Sequence, residues 1–226
     1  MTDAALLNTE WESIDDVLLD MDGTLLDLDF DHHFWQTRVP EAWGAAQGLA
    51  LAAARDLLRP RFAACEGTLA WYSTDHWSQE LGLDIAALKR RDAERICWLP
   101  GARQFLSAVR ARGKRLVLVT NAHPQAIAIK HERTGVLDYV DTHISSHDLG
   151  APKEDRRFWQ RLRTALNYDP ARSLFCDDSR AVLRAARAAG VGVIRAVCRP
   201  NSQNPTCVHE DFVGVDALWD LVLEKT

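Results

Sequence analysis

Residues 17–25 read Val-Leu-Leu-Asp-Met-Asp-Gly-Thr-Leu: an apolar run ending in two carboxylates one residue apart, followed by a glycine. Three aliphatic residues in a row predict a buried strand, and the Asp-Gly pair predicts that the chain turns where the strand stops. In extended geometry Asp20 and Asp22 fall on the same face. A free carboxylate in such a place can attack phosphorus to give an acyl phosphate, and a carboxylate two residues on can shuttle the proton for leaving group and water. The string by itself also fits a strand that simply enters an Asp-Gly turn, so the choice falls to the rest of the chain.

Outward from this stretch, short aliphatic or β-branched runs at 17–21, 116–120, 139–145, 173–177 and 192–196 alternate with helical patterns at 102–112, 124–134, 153–166 and 180–189. Gly113, Gly135 and Gly190 follow three of these patterns as stop signals. Strands separated by helices imply an α/β fold with a parallel, Rossmann-like sheet and right-handed crossovers, and ligands of such sheets bind beyond the carboxyl ends of the strands. Residues 28–98 break the rhythm. They hold no convincing strand but carry helical patterns at 41–65 and 68–96, too long a stretch for a structureless loop. A helical cap over the strand ends is expected there, with 1–27 and 99–226 forming the core domain. Its aromatics Trp35, Trp43, Trp71, Tyr72, Trp77 and Trp98 suit two tasks, joining helices to one another or stacking on a planar substrate group. Residues 199–209 read as a polar loop before a last helix at 215–224.

The chain has 226 residues, 47% hydrophobic and 26% charged, with a net charge of -5. That is enough to bury a substantial core, and the balance gives no electrostatic case for a nucleic-acid polymer or a membrane surface as partner. Five cysteines without a C-x-x-C pair argue against a disulfide framework or a thiolate zinc site. No run of about twenty apolar residues offers a membrane span, and the start lacks a basic-then-apolar signal, so a cytoplasmic protein is expected.

Three further strand ends decide between the two readings of the first. Thr120 and Asn121 follow the run 116–119 and could hold phosphoryl oxygens, with His123 bordering the same place. Lys153, after Ala151 and Pro152 at a predicted helix start, would neutralise an anion. Asp177 and Asp178 close the run 173–176 and offer the hard oxygens that suit Mg²⁺. Each has an ordinary capping or solvated alternative. A nucleophile candidate, an oxyanion binder, a cation and metal-binding acids on four strand ends form a set that independent capping would rarely produce. The pairs His32 with His33 and His143 with His147 supply no convincing transition-metal set.

This ordered set resembles the haloacid dehalogenase-like (HAD) hydrolase superfamily. Asp20 and Asp22 match its first motif, Thr120 its second, Lys153 its third, and Asp177 and Asp178 its fourth. The resemblance implies a strand order of 3-2-1-4-5 and a helical C1 cap inserted after the first strand. It also implies Asp20 as nucleophile, Asp22 as general acid and base, and Mg²⁺ held by Asp20, the Asp22 carbonyl and Asp178. A narrower likeness, to the bacterial GMP/IMP nucleotidase group, lies in Trp11 with residues 14–35, and in residues 69–85 (LAWYSTDHWSQELGLDI), 120–124 (TNAHP) and 152–159 (PKEDRRFW). It implies a phosphomonoester hydrolase acting on purine nucleoside monophosphates. The alternatives are a phosphatase for another small phosphometabolite, a sugar phosphomutase on the same scaffold, and a non-catalytic nucleotide-binding module.

Overall fold

The computed structural model describes Leu6 and residues 8–223. Among these residues six strands form one parallel sheet: β1 (Asp16–Leu19), β2 (Arg115–Thr120), β3 (Thr142–Ser145), β4 (Ser173–Asp177), β5 (Val193–Val197) and β6 (Gly214–Val215). Their order is β3-β2-β1-β4-β5-β6, with every pairing parallel. The predicted order of the first five holds, and β1 lies between β2 and β4.

Side chains that alternate along each strand feed two apolar layers. Leu18, Val117, Val119 and Phe175 pack with Phe158 and Leu162 of α11 (Arg156–Leu166) and with Val182, Leu183 and Ala186 of α12 (Arg180–Ala188). Val17, Leu19, Leu116, Leu118, Leu174 and Cys176 pack on the other face with Phe105, Leu106 and Val109 of α8 (Ala102–Ala111) and Ile127 and Ile129 of α9 (Pro124–Thr134). Burial of each such large side chain contributes about 1.5–3 kcal/mol, and this is what fixes the register of the strands. All five cysteines are free.

Between β1 and β2 the chain is helical: α2 (Asp29–His33), a π turn (Phe34–Arg38), α3 (Val39–Gln47), α4 (Leu51–Cys65), α5 (Leu69–Tyr72), α6 (Thr74–Leu81) and α7 (Ile85–Arg91), preceded in the chain by α1 (Asn8–Ser13). This insertion has its own core of Phe34, Val39, Leu58, Trp77, Leu81 and Ile85. Its two linkers meet in an antiparallel bridge of Leu26 with Trp98. The tail segment grips the first linker: Leu28 N–H donates to the Pro200 carbonyl at 2.9 Å and Ser202 N–H to the Asp27 carboxylate at 3.1 Å.

Several expected boundaries move. The pattern at 41–65 is two helices, because Gly48 ends α3 in the left-handed conformation at φ +68°. The pattern at 68–96 is three helices and a final turn, divided where the Ser73 and Asp84 side chains start new helices by accepting from His76 N–H and Ala87 N–H. Residues 139–141 precede β3 rather than joining it, and α10 (Ser146–Leu149) follows β3 directly. Lys153 lies in a turn before α11, whose first N–H groups are capped by Asp155. The predicted helix at 215–224 is instead the end of β6 and a 3₁₀ turn, Leu218–Leu221, with residue 224 outside the described residues. Val215, Leu218, Leu221 and Val222 imitate a helical period while packing under the sheet one side chain at a time.

Candidate active site

Where β1 ends, Asp20 N–H still donates to the Cys176 carbonyl of β4 at 3.0 Å, which holds the residue to the ladder's last rung. The chain then folds back: Leu25 and Leu26 N–H donate to the Met21 carbonyl at 3.0 and 2.8 Å, and Gly23 N–H donates to the Leu26 carbonyl at 2.7 Å. Gly23 has φ +84°, and a Cβ there would lie 2.8 Å from the Asp178 carboxyl carbon. Both the left-handed turn and the close approach of Asp178 therefore require glycine.

Lys153 is 2% exposed, and its ammonium has three partners: it pairs with Asp20 Oδ1, donates to Asp177 Oδ2 at 2.7 Å, and donates to the Val119 carbonyl at 3.1 Å. Its backbone is pinned too, since its N–H donates to Asn121 Oδ1 at 2.9 Å and Trp159 Nε1–H donates to its carbonyl at 2.8 Å. Thr120 is buried and its hydroxyl oxygen accepts from Ala122 N–H at 3.0 Å. Neither Thr120 nor Asn121 caps α9; His123 does, through Nδ1 accepting from Gln125 N–H. Asp177 Oδ1 accepts from Ser179 N–H at 2.7 Å, so both of its oxygens are engaged.

Carboxylate oxygens of Asp20, Asp177 and Asp178 lie within 4.8 Å of one another. Burial, opposed by Lys153, pushes Asp20 up to about 6, and burial with the neighbouring Asp177 and Asp20 charges pushes Asp178 well above the usual carboxylate range. Lys153 is the cation that offsets this cluster. Hard oxygens crowded together and reluctant to ionise are a donor set that fits a small divalent cation such as Mg²⁺.

Asp22 belongs to a second charged group. Lys130 Nζ of α9 stands 2.5 Å from Asp22 Oδ1 and 2.6 Å from Asp31 Oδ2 of α2, and Lys89 Nζ of α7 stands 2.7 Å from Asp31 Oδ1. Burial, against the pull of Lys130, raises Asp22 to about 6. Asp31 is also pushed up by burial, but its two lysines outweigh that and hold it below the ordinary range. Lys89 also lies 4.3 Å from the Phe34 ring centroid, so the insertion shields this cation with an aromatic face.

The carboxylates of both groups, with Lys89 and Lys153, line one cavity of about 350 Å³, within the range of small-molecule sites. Its floor is Asp20, Asp22, Thr120, Lys153 and Asp178; its wall is Trp35, Gln36, Phe62, Trp71, Tyr72 and Trp77 of the insertion. Within its lining Tyr72 O–H donates to Glu154 Oε1 at 2.6 Å, and Asn121 Nδ2–H donates to Glu154 Oε2 at 3.1 Å. His123 lines the cavity, yet its Nδ1 lies 2.8 Å from Thr74 Oγ1 of the insertion.

The model of the haloacid dehalogenase-like hydrolases matches residues 14–190, a span that takes in every group on the floor. The chain belongs to that family. This hydrolase is 43% identical over 196 residues to the GMP/IMP nucleotidase YrfG of Escherichia coli (strain K12), 87% of this chain and 88% of that one. It is 29% identical over 110 residues to the pyrimidine 5'-nucleotidase YjjG of the same organism, 46% of this chain and 48% of that one. Its fold is that of the HAD phosphatase from Thermococcus onnurineus, with a TM-score of 0.77, 21% identity, and coverage of 92% of this chain and 95% of that one.

The structure thus brings Asp20, Asp22, Thr120, Asn121, His123, Lys153, Asp177 and Asp178 to one cavity. Sequence reasoning missed Asp31, Lys89, Lys130, Tyr72 as a polar group, and Glu154. A signal for the lysines was present: this hydrolase has 22 Arg and only five Lys, and three of those five, Lys89, Lys130 and Lys153, are buried. An arginine fork would demand more partners and more room in each place.

Proposed function

We propose that this hydrolase is a Mg²⁺-dependent phosphomonoesterase that works through an aspartyl phosphate, with purine nucleoside 5'-monophosphates as its substrates. The observation that carries the reading is a single cavity joining a floor of Asp20, Asp22, Lys153 and Asp178 to an aromatic wall large enough for a base. The 43% identity to a GMP/IMP nucleotidase supports the choice of purine monophosphates. The helical insertion is the cap that covers the substrate.

A phosphate monoester repels an anionic nucleophile, so the site must first offset the charge on both. Asp20, Asp178 and the Asp22 carbonyl would hold the cation, whose contribution is to neutralise phosphoryl oxygens. Asp177 keeps Lys153 aimed at Asp20, which places a fixed positive charge beside the attacking carboxylate. The Thr120 hydroxyl and neighbouring amides receive the equatorial oxygens.

Asp20 attacks phosphorus as the ester P–O bond breaks, and Asp22 gives its proton to the departing alkoxide. The acyl phosphate on Asp20 is then opened by water, whose proton Asp22, now a carboxylate, takes back. Inorganic phosphate leaves and the Asp20 carboxylate is restored. A group poised at about 6 serves both directions near neutral pH, and Lys130 holds it in place for them. Asp22 also separates this chemistry from dehalogenation, where no leaving oxygen needs a proton.

A phosphate-release screen with Mg²⁺ over purine and pyrimidine monophosphates, sugar phosphates and phosphoglycolate tests the reading. GMP and IMP should lead. Sugar phosphates in the lead, or a flat profile, would remove the nucleotidase assignment and leave the phosphatase chemistry. Conversion of a sugar phosphate to its isomer without phosphate release would favour the mutase alternative.

A further inference from the structure

Among the described residues the helical insertion contains one π turn, Phe34–Arg38, and two adjacent residues of it, Trp35 and Gln36, line the cavity. π segments are rare, unfavourable inserts that mark functional sites when something else holds them in place. Here Arg55 holds this one from outside. Its Nε–H donates to the Gln36 carbonyl at 2.7 Å and its Nη2–H to the Thr37 hydroxyl at 2.9 Å. Trp35 is fixed edge-on by Phe34, Phe62 and Trp77, with ring centroids 5.2, 5.8 and 6.1 Å away. The Gln36 amide, by contrast, has no hydrogen-bond partner among the described residues and is exposed.

A rigid indole beside an uncommitted amide, lining the same cavity as Asp20 and Lys153, is a pair suited to a flat heterocycle with a polar edge. We propose that this π turn is the base-reading element, with Trp35 covering the ring of the purine and Gln36 pairing with its edge. The assignment rests on the nucleotidase reading above and adds the residues that recognise the base. A primary amide offers one donor and one acceptor side by side. On a 6-oxopurine the amide N–H would donate to O6 and the amide carbonyl would accept from N1–H. Stacking supplies affinity that tolerates any base, so discrimination falls to the amide.

Two variants at an exposed position test this with little risk to folding. Gln36→Ala should lower the ratio of kcat/KM for GMP to that for ribose 5-phosphate about tenfold, through KM rather than kcat, and do the same for IMP. Gln36→Glu has acceptors only. It loses the partner for O6 but suits N1–H and the exocyclic amine of guanine, which hypoxanthine lacks, so the GMP to IMP preference should rise severalfold. If the native enzyme cleaves GMP while Gln36→Ala keeps both ratios within twofold, the base-reading assignment fails and the nucleotidase reading stands. If the native enzyme cleaves ribose 5-phosphate but no nucleotide, both fail.

Discussion

The floor of the cavity and its wall are built differently. On the floor, Asp20, Thr120 and Asp177 sit at or just beyond the ends of β1, β2 and β4, so their positions follow from a ladder whose residues are buried on both faces. On the wall, Trp35, Gln36 and Tyr72 come from short helices around a separate core, tied to the sheet by two linkers and a few polar bridges such as Tyr72 to Glu154. On the proposed reading, the chemistry is thereby fixed by the element least able to shift, and recognition by the one whose helices can change without disturbing it.

That contrast breaks most sharply at Asp20, the proposed nucleophile. Asp20→Asn keeps the shape and removes the attacking charge, so kcat should fall about 10⁴-fold or more in a phosphate-release assay. Retained turnover would mean that the floor holds a different reaction.

The Asp31 bridge is where floor and wall meet. Asp31→Asn leaves Lys89 and Lys130 buried with one fewer carboxylate, and should cost about 3–5 kcal/mol in denaturant unfolding. Because the native Asp31 is held below the ordinary carboxylate range, its contribution is present at neutral pH and fades as pH falls through that low value. The gap between variant and native protein should therefore narrow in acid. A gap that is absent at pH 7 would show that the insertion is not braced through Asp31.

The floor should also carry a stability penalty that the wall lacks. Asp178 is raised well above the usual range, so in the metal-free protein its cost is absent at low pH and grows as pH rises past the unfolded value. With a chelator present, Asp178→Asn should raise Tm by about 2–4 °C at pH 8 and by less at pH 5. With Mg²⁺ present the native protein should gain more than the variant. A variant less stable than the native protein in chelator at both pH values would contradict the crowded-carboxylate account.

The smallest effect is expected on the wall. Tyr72→Phe removes one hydrogen bond to Glu154, worth about 1 kcal/mol, and should change KM for GMP a few-fold with little change in kcat. A large drop in kcat instead would move Tyr72 into the chemistry.

The same contrast explains what could be read from sequence. The aliphatic runs before Asp20, Thr120 and Asp177 each have one interpretation, a buried strand, and α9 was legible to the residue because Pro124 opens it and Gly135 closes it. The ordered carboxylates, threonine and lysine then follow from the topology. On the wall the period is helical throughout, and nothing local in 41–65 or 68–96 reveals how the pieces cross. Lys89 and Lys130 sit in helical patterns where a lysine ordinarily faces water, and only the fold brings them to Asp31 and Asp22. The tail was misread because β6 has two residues, Gly214–Val215, and borrows its stability from β5 rather than from its own pattern.

The central claim is that Asp20 is transiently phosphorylated. Rapid acid quench of the enzyme with Mg²⁺ and GMP during turnover, followed by peptide mass analysis, reads this directly. The fragment containing residue 20 should gain the mass of one phosphoryl group, and the gain should be absent in Asp20→Asn. Phosphate release at full rate with that fragment never modified, or modified at another residue, would contradict the account.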